Sequence, residues 1–166
     1  MARSIQSHGN PLTLAGRELK VGDKAPDFTA VDVNMKPVKL SDFKGNVIII
    51  SAVPSLDTPV CELQTKRFNE EASKLNAKIL TVSMDLPFAQ ARWCGAAGVT
   101  NVTTLSDHKD ASFGAAYGVL IKELRLLARS VFVVDRKGEL RYVELVKEIT
   151  HEPDYDAALK AAKACL

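Results

Sequence analysis

The sequence predicts an α/β fold in which helices cover a mixed β-sheet, and three patterns support this. Residues 47–53 are apolar at nearly every position, as expected for a central parallel strand that is buried on both faces. Residues 78–84 predict a second buried strand, and a helix-start signature follows each run. Residues 130–135 and 139–145 flank Arg136-Lys137-Gly138, which predicts an antiparallel hairpin. With a last helix, these elements describe a thioredoxin-like sandwich.

The remaining elements are predicted from turn residues and short apolar runs. An N-terminal hairpin is expected over residues 4–16, with Gly9-Asn10-Pro11 as its turn. Short strands are expected at residues 28–33, 36–40 and 102–105, with a turn at 41–45. Helices are expected at residues 59–75, from 85–87 to about Cys94 with Gly95 ending it, at 109–117 and at 153–164. Because the chain contains neither a repeat nor a long linker, we expect one domain over residues 1–166.

Composition and charge restrict the class of protein. The chain has 166 residues, of which 46% are hydrophobic and 25% charged, and its net charge is +2. This small charge, without a cluster of basic and aromatic residues, argues against nucleic-acid binding, and no apolar stretch approaches membrane-spanning length. Residues 1–10 lack the apolar region of a secretory signal. Three cysteines without an export signal therefore predict a reducing, cytoplasmic location.

Cys61 is the candidate reactive residue. It lies in the first turn of a predicted helix, because Pro59 fits the first helical position and Asp57 or Thr58 can cap it. A thiol there faces unpaired backbone N–H groups and the positive end of the helix dipole, which stabilise a thiolate. The alternative is a small core residue, since Cys61 shares a helix face with apolar positions. The hydroxyl of Thr58, one turn upstream and able to bond the sulfur, favours the reactive thiol.

Cys94 is the second candidate, and it is weaker alone. Both Cys61 and Cys94 lie in connections that leave the carboxyl ends of parallel strands, where function collects in open α/β sheets. A lone cysteine near the end of a short helix is more often a packing residue, so the case for Cys94 depends on its pairing with Cys61. Cys165, the penultimate residue, is interpreted as incidental.

Other cysteine functions are less well supported. The chain has no Cys-x-x-Cys motif, and its three histidines are isolated, which argues against a metal site and against a thioredoxin-type dithiol. A cysteine protease with His108 as the base stays open at this point. So do a disulfide exchanger or redox sensor acting on proteins, and a non-catalytic interaction module.

Several motifs carry a resemblance to a known family. Pro54-x-x-x-Thr58-x-x-Cys61 resembles the signature of the peroxiredoxins, and residues 85–95, DLPFAQARWCG, resemble the segment that marks their thiol peroxidase branch, the atypical two-cysteine enzymes. Arg129 matches the arginine that these enzymes hold beside the active site, and residues 152–155 are also similar. The resemblance extends from the N-terminal hairpin to about Lys163.

The resemblance implies a mechanism. Cys61 would attack the O–O bond of a hydroperoxide and become a sulfenic acid. Thr58 and Arg129 would hold the thiolate and polarise the peroxide, and Pro54 would shield the pocket from water. Cys94 would then form a disulfide with Cys61, which thioredoxin reduces. The same resemblance implies a homodimer and a thioredoxin-dependent peroxiredoxin in antioxidant defence, without metal, haem or flavin.

The two cysteines are expected to need local unfolding before they can pair. Cys61 lies in the first turn of its helix, whereas Cys94 lies seven residues beyond Pro87, about 10 Å along its own helix. A disulfide requires Cα atoms within about 7 Å. We therefore expect one helix end to melt, most easily the end that contains Gly95 and Gly98.

Overall fold

The computed structural model describes residues 3–72, 74–99 and 101–166, and its larger sheet has seven strands. Three neighbouring strands of this sheet are parallel to one another. The strand that pairs with the first of them runs antiparallel to it, so the sheet is mixed, as predicted. In spatial order the strands are β11 (Leu140–Leu145), β10 (Ser130–Val134), β5 (Ile48–Ala52), β6 (Lys78–Ser83), β7 (Thr103–Ser106), β3 (Thr29–Val31) and β4 (Pro37–Lys39). The predicted central strand β5 is thus parallel to β6 only and antiparallel to β10.

A smaller sheet of four strands contains the N-terminal hairpin. Its order is β1 (Ser4–Ser7), β2 (Asn10–Ala15), β8 (Leu120–Ile121) and β9 (Leu126–Leu127). The hairpin was predicted, but its turn is His8-Gly9, with φ angles of 51° and 81°, and not Gly9-Asn10-Pro11. Two positive φ angles match a two-residue hairpin turn, which leaves Asn10 and Pro11 free to pair within β2.

Helices connect the strands and close the chain. They are α1 (Pro59–Ala72), α2 (Pro87–Ala97), α3 (Ser112–Ala116) and α4 (Tyr155–Ala164), and a short 3-10 helix (Leu40–Phe43) occupies most of the predicted turn at residues 41–45. The prediction that Gly95 ends α2 is wrong. The helix continues to Ala97 and ends at Gly98, which has a left-handed φ of 69° and donates its N–H to the Cys94 carbonyl. Cys94 therefore lies inside the last turns of an intact helix.

The apolar core lies on both faces of the larger sheet. Successive residues of β5 alternate between two clusters: Ile48 and Ile50 pack on one side and Ile49 on the other. All five residues of β5 are buried, so the prediction of a strand covered on both faces is confirmed. Burying each such side chain contributes about 1.5–3 kcal/mol, which makes the strand before Cys61 a rigid base. In the described ranges, no helix combines the length and apolar character needed to cross a bilayer.

Two glycines test where α2 ends. Gly98→Ala should lower the free energy of unfolding by about 1 kcal/mol, because alanine is strained in the left-handed region although the added Cβ would meet no atom within 4 Å. Gly95→Ala should raise it by about 0.5–1 kcal/mol, since this exposed residue is helical and also has open space. Urea denaturation measures both. The reverse order of stabilities would place the helix end at Gly95.

Candidate active site

Cys61 lies in the first turn of α1, shortly after the fully buried strand β5. Its side chain is fully buried and forms a small apolar cluster with Val53 and Leu56, against which Trp93 packs. The cluster places the first turn of α1 against α2, the helix that contains Cys94. Burial alone fits the core interpretation of Cys61 as well as the reactive one. The polar contacts of its sulfur decide between them.

Arg129 provides the main polar contact of the Cys61 sulfur. Its Nη2 donates to Cys61 Sγ at 3.2 Å, its Nη1 to Gln64 Oε1 at 2.9 Å and its Nε to the Ile149 carbonyl at 2.9 Å. The side chain is 2% exposed, and a buried cation is costly unless a negative charge compensates it. Among these three partners only the sulfur of Cys61 can become an anion. The geometry therefore favours a thiolate at Cys61, and the bond joins two residues, Arg129 and Cys61, that are 68 positions apart.

Gln64 is a site residue that sequence reasoning missed. It lies one turn after Cys61 and is fully buried. Its Oε1 accepts from Arg129, and its Nε2 donates to Ser51 Oγ at 2.7 Å, so it fixes the guanidinium relative to strand β5. The available signal was a polar side chain on the buried face of α1, three residues after the candidate cysteine.

Thr58 and Pro54 belong to the loop that precedes α1. The Thr58 hydroxyl donates to the Ser55 carbonyl at 3.0 Å, and the Thr58 carbonyl accepts the N–H of Glu62 at 2.9 Å. Its hydroxyl proton is therefore used inside the loop and not on the Cys61 sulfur, where the sequence interpretation placed it. Pro54 is buried at the end of the segment that leaves β5. Both residues therefore lie in the segment that leads from β5 to Cys61.

Cys94 is half-buried on α2 and contacts a different strand. Its thiol donates to Thr104 Oγ1 on β7 at 3.8 Å. Burial raises the pKa of the Cys94 thiol above its ordinary value, and the Thr104 hydroxyl offsets part of that rise. The Cys61 side of the site is anchored through Gln64 to Ser51 on β5, and β6 lies between β5 and β7. Two strand spacings, about 10 Å, separate Ser51 from Thr104, so the two cysteines are associated with different strands of the sheet.

The other residues raised by the sequence lie elsewhere or lack the expected contacts. Cys165 is beside Asp135 and Arg141, at the end of β10 that is opposite the carboxyl end of β5. Cys165 therefore lies at the opposite end of the strands from Cys61. All three cysteines are free. The ring Nε2 of His108 is buried without a hydrogen-bond partner among the described residues, while the Cys61 sulfur is bonded by Arg129, which does not support a protease-type pair.

A groove of about 750 Å³ opens beside the Cys61 cluster. It lies between the loop before α1 and the exposed face of α2, and apolar side chains of Leu86, Phe88 and Trp93 form much of it. Leu86 and Phe88 are exposed, at 51% and 68%. Trp93 both lines the groove and packs against the Cys61 cluster.

Comparison with known proteins places the chain in a family. The family model described as Redoxin matches residues 20–159. The chain belongs to the Redoxin family. A curated relative from Halalkalibacterium halodurans, named thiol peroxidase, is 59% identical over 164 residues, which cover 98% of this chain and 99% of the relative. A thiol peroxidase from Bacillus subtilis is also 59% identical, over 96% of each chain.

Solved structures agree with this assignment. A peroxiredoxin-like protein from Aquifex aeolicus superposes with a TM-score of 0.93 at 45% identity, covering 100% of this chain and 99% of that one. A thiol peroxidase from Chromobacterium violaceum, 23% identical, has a TM-score of 0.88 over 97% of this chain and 95% of its own, which supports the fold alone. The predicted thioredoxin-like fold and the resemblance to the thiol peroxidase branch are thus confirmed.

Arg129→Met should slow the alkylation of Cys61 by iodoacetamide at pH 7 about tenfold or more, because the variant removes the cation that stabilises the thiolate. The rate is measured in a Cys94→Ser, Cys165→Ser background so that one thiol reacts. Arg141→Met is the matched control, since Arg141 pairs with Asp135 at the far edge of the sheet. An unchanged rate in Arg129→Met would mean that this arginine only anchors α1 and Ile149.

Thr104→Val should move the alkylation of Cys94 to higher pH, since removing the hydroxyl leaves burial as the dominant influence on its pKa. Below the pKa the thiolate fraction falls about tenfold per pH unit, so the rate at pH 7 should drop. Mass spectrometry of a Cys61→Ser, Cys165→Ser background gives the profile. Thr103→Val, at an exposed position on the same strand, should leave it unchanged, and equal profiles for the two valine variants would contradict the role of Thr104.

Proposed function

We propose that this protein is a thiol-dependent peroxidase in which Cys61 reduces hydroperoxides. The observation that carries this proposal is the buried Arg129 guanidinium, 3.2 Å from a fully buried sulfur at the start of a helix. A cation and the helix N-terminus both stabilise negative charge there, and the thiolate is the nucleophilic form of cysteine. The predicted enzyme class, a peroxiredoxin-type peroxidase, is confirmed by the full-length similarity to curated thiol peroxidases.

The first step uses groups already assembled around Cys61. The thiolate attacks the terminal oxygen of the hydroperoxide, the S–O bond forms as the O–O bond breaks, and Cys61 becomes a sulfenic acid. The leaving oxygen takes a proton and departs as water or an alcohol. Arg129 and the backbone N–H groups at the start of α1 donate where negative charge develops, which lowers the barrier. Pro54 and Thr58 shape the loop that admits the peroxide.

The second step requires Cys94. Its thiolate attacks the Cys61 sulfur, displaces hydroxide and forms a disulfide, and dithiol reduction by thioredoxin returns both thiols. Because the anchors of the two cysteines are about 10 Å apart, a segment must move before the sulfurs meet. Because α2 continues to Ala97, Cys94 is released at this end of the helix only if helical residues on both sides of it unfold. The loop before α1 is the other segment that can move.

The groove supports a range of substrates. Its apolar surface at Leu86, Phe88 and Trp93 can hold the organic part of a hydroperoxide, so we propose that organic hydroperoxides are reduced as well as hydrogen peroxide. Thioredoxin as the reductant, a homodimer and a cytoplasmic location are further parts of this proposal, and they follow from the family and from the three free cysteines.

Stopped-flow fluorescence tests the function, because Trp93 is the single tryptophan and packs against the Cys61 cluster. Mixing the reduced protein with hydrogen peroxide or cumene hydroperoxide should give a fast first phase that Cys61→Ser abolishes. Cys94→Ser should keep this phase but lose steady turnover with thioredoxin, and it should collect as sulfenic acid and then overoxidise.

Cys165→Ser is the control and should behave like the wild-type protein. Thiol–disulfide exchange without peroxide turnover would favour a disulfide exchanger instead. Turnover that survives in Cys94→Ser would place the resolving thiol elsewhere.

A further inference from the structure

We propose that Asp85 is a positioning residue that fastens the Cys61 loop to the base of α2 and sets how readily the active site opens for disulfide formation. This inference rests on the proposed function, since it concerns the step between the sulfenic acid and the Cys61–Cys94 disulfide. Asp85 lies between β6 and α2, two residues before the helix that contains Cys94.

The Asp85 carboxylate joins two separate segments of the chain. Its Oδ1 accepts the Ser55 hydroxyl at 2.7 Å, and its Oδ2 accepts the Leu56 N–H at 2.8 Å. Oδ2 also accepts the Ser83 hydroxyl at 2.7 Å, from the end of β6. The backbone carbonyl of Asp85 accepts the hydroxyl of Ser106, from the end of β7. One residue thus connects the loop after β5 to the ends of the two adjacent parallel strands.

Both loop residues that bond to the Asp85 carboxylate also contact residues of the active site. Leu56 packs in the cluster with Cys61 and Trp93, so the bond to its N–H holds the apolar cover of the sulfur in place. Ser55 supplies the carbonyl that accepts the Thr58 hydroxyl. Without Asp85, the loop would lose the contacts that fix Thr58 and Leu56 relative to Cys61.

The other end of the connection is fixed. Gln90, in the first turn of α2, is fully buried, and its Nε2 donates to Ser83 Oγ at 3.0 Å and to the Leu105 carbonyl at 2.8 Å. The base of α2 is therefore held to β6 and β7, and the loop is held to that base. Hydrogen bonds to an ionised carboxylate are stronger than neutral ones, so these bonds oppose the melting of the loop and of the first turn of α1. They favour the closed form that reacts with peroxide and oppose the open form that makes the disulfide.

Asp85→Ala should therefore change the two steps in opposite directions. We expect disulfide formation to be about tenfold faster, because the open form costs less, and sulfenic acid formation to be several-fold slower, because the loop is less well ordered. Asp85→Asn, which keeps one oxygen acceptor, should give intermediate rates, and Ser55→Ala, which removes one of the two loop bonds, a smaller shift in the same directions. Trp93 fluorescence follows the first step, and rapid acid quench with mass spectrometry follows the second.

Asp135→Ala is the matched control. Asp135 accepts the N–H groups of Lys137 and Glu139 and the Nε of Arg141, so it also makes three bonds, but at the far edge of the sheet. This variant should lose stability without altering the ratio of the two rates. Hydrogen exchange adds a direct readout. The exchange rate of the Leu56 amide should rise about tenfold in Asp85→Ala and stay unchanged in Asp135→Ala.

The outcomes separate this inference from the proposed function. A wild-type protein that never forms the Cys61–Cys94 disulfide would contradict the proposed function, and the inference would fall with it. Wild-type disulfide formation with an unchanged ratio of rates in Asp85→Ala and Ser55→Ala would overturn the role of Asp85 alone. Equal slowing of both steps would overturn it too, since that is the signature of general destabilisation. If Asp85→Ala does not fold, the ratio in Asp85→Asn and Ser55→Ala decides.

Discussion

The hydrogen bond from the buried Arg129 guanidinium to the Cys61 sulfur is the contact on which the site depends. It joins the start of β10 to the first turn of α1, and Gln64 extends it to Ser51 on β5. A buried cation without a carboxylate partner is unfavourable unless its neighbour becomes an anion. Among the hydrogen-bond partners described for this arginine, only Cys61 can do so. Folding the sheet therefore places a cation against the thiol that we propose as the nucleophile, and the oxidised cysteine would lose part of that compensation.

The structure combines a rigid strand that leads to the site with a loop that can open. Strand β5 is buried on both faces and pairs with β6 and β10, so the residues that lead to Cys61 cannot move independently. In the loop that follows, Val53, Pro54 and Leu56 are buried, and hydrogen bonds from Ser55 and Leu56 to the Asp85 carboxylate hold the loop to the base of α2. Hydrogen-bonded loops open more cheaply than buried strands. A peroxidase that must hold peroxide in one conformation and form a disulfide in another needs both a rigid part and a part that opens.

The sequence predicted the sheet and the main helices because apolar runs and helix-start residues are local signals. It failed where a signal was weak or had two interpretations. Gly95 and Gly98 are both plausible helix ends by type, and only the left-handed backbone at Gly98 distinguishes them. Strands β8 and β9 have two residues each, which is too short for any periodicity. Arg129 beside Cys61 was found through family motifs. The position of Gln64 on the buried face of α1 was a local signal, but its partners, like those of Asp85, are distant in sequence and are not predicted by a local pattern.

The resting position of Cys94 explains how the order of the two steps can be kept. Burial raises the pKa of its thiol, so in the closed form Cys94 is a poor nucleophile as well as a distant one. An opening that exposes Cys94 to water would remove the burial that raises its pKa, and it would also break the bond to Thr104, which lowers it. Because burial is the larger of the two influences, a movement that releases the thiol into water would also increase its thiolate fraction. Because Asp85 opposes opening on the Cys61 side, peroxide meets an ordered Cys61 pocket before Cys94 is activated.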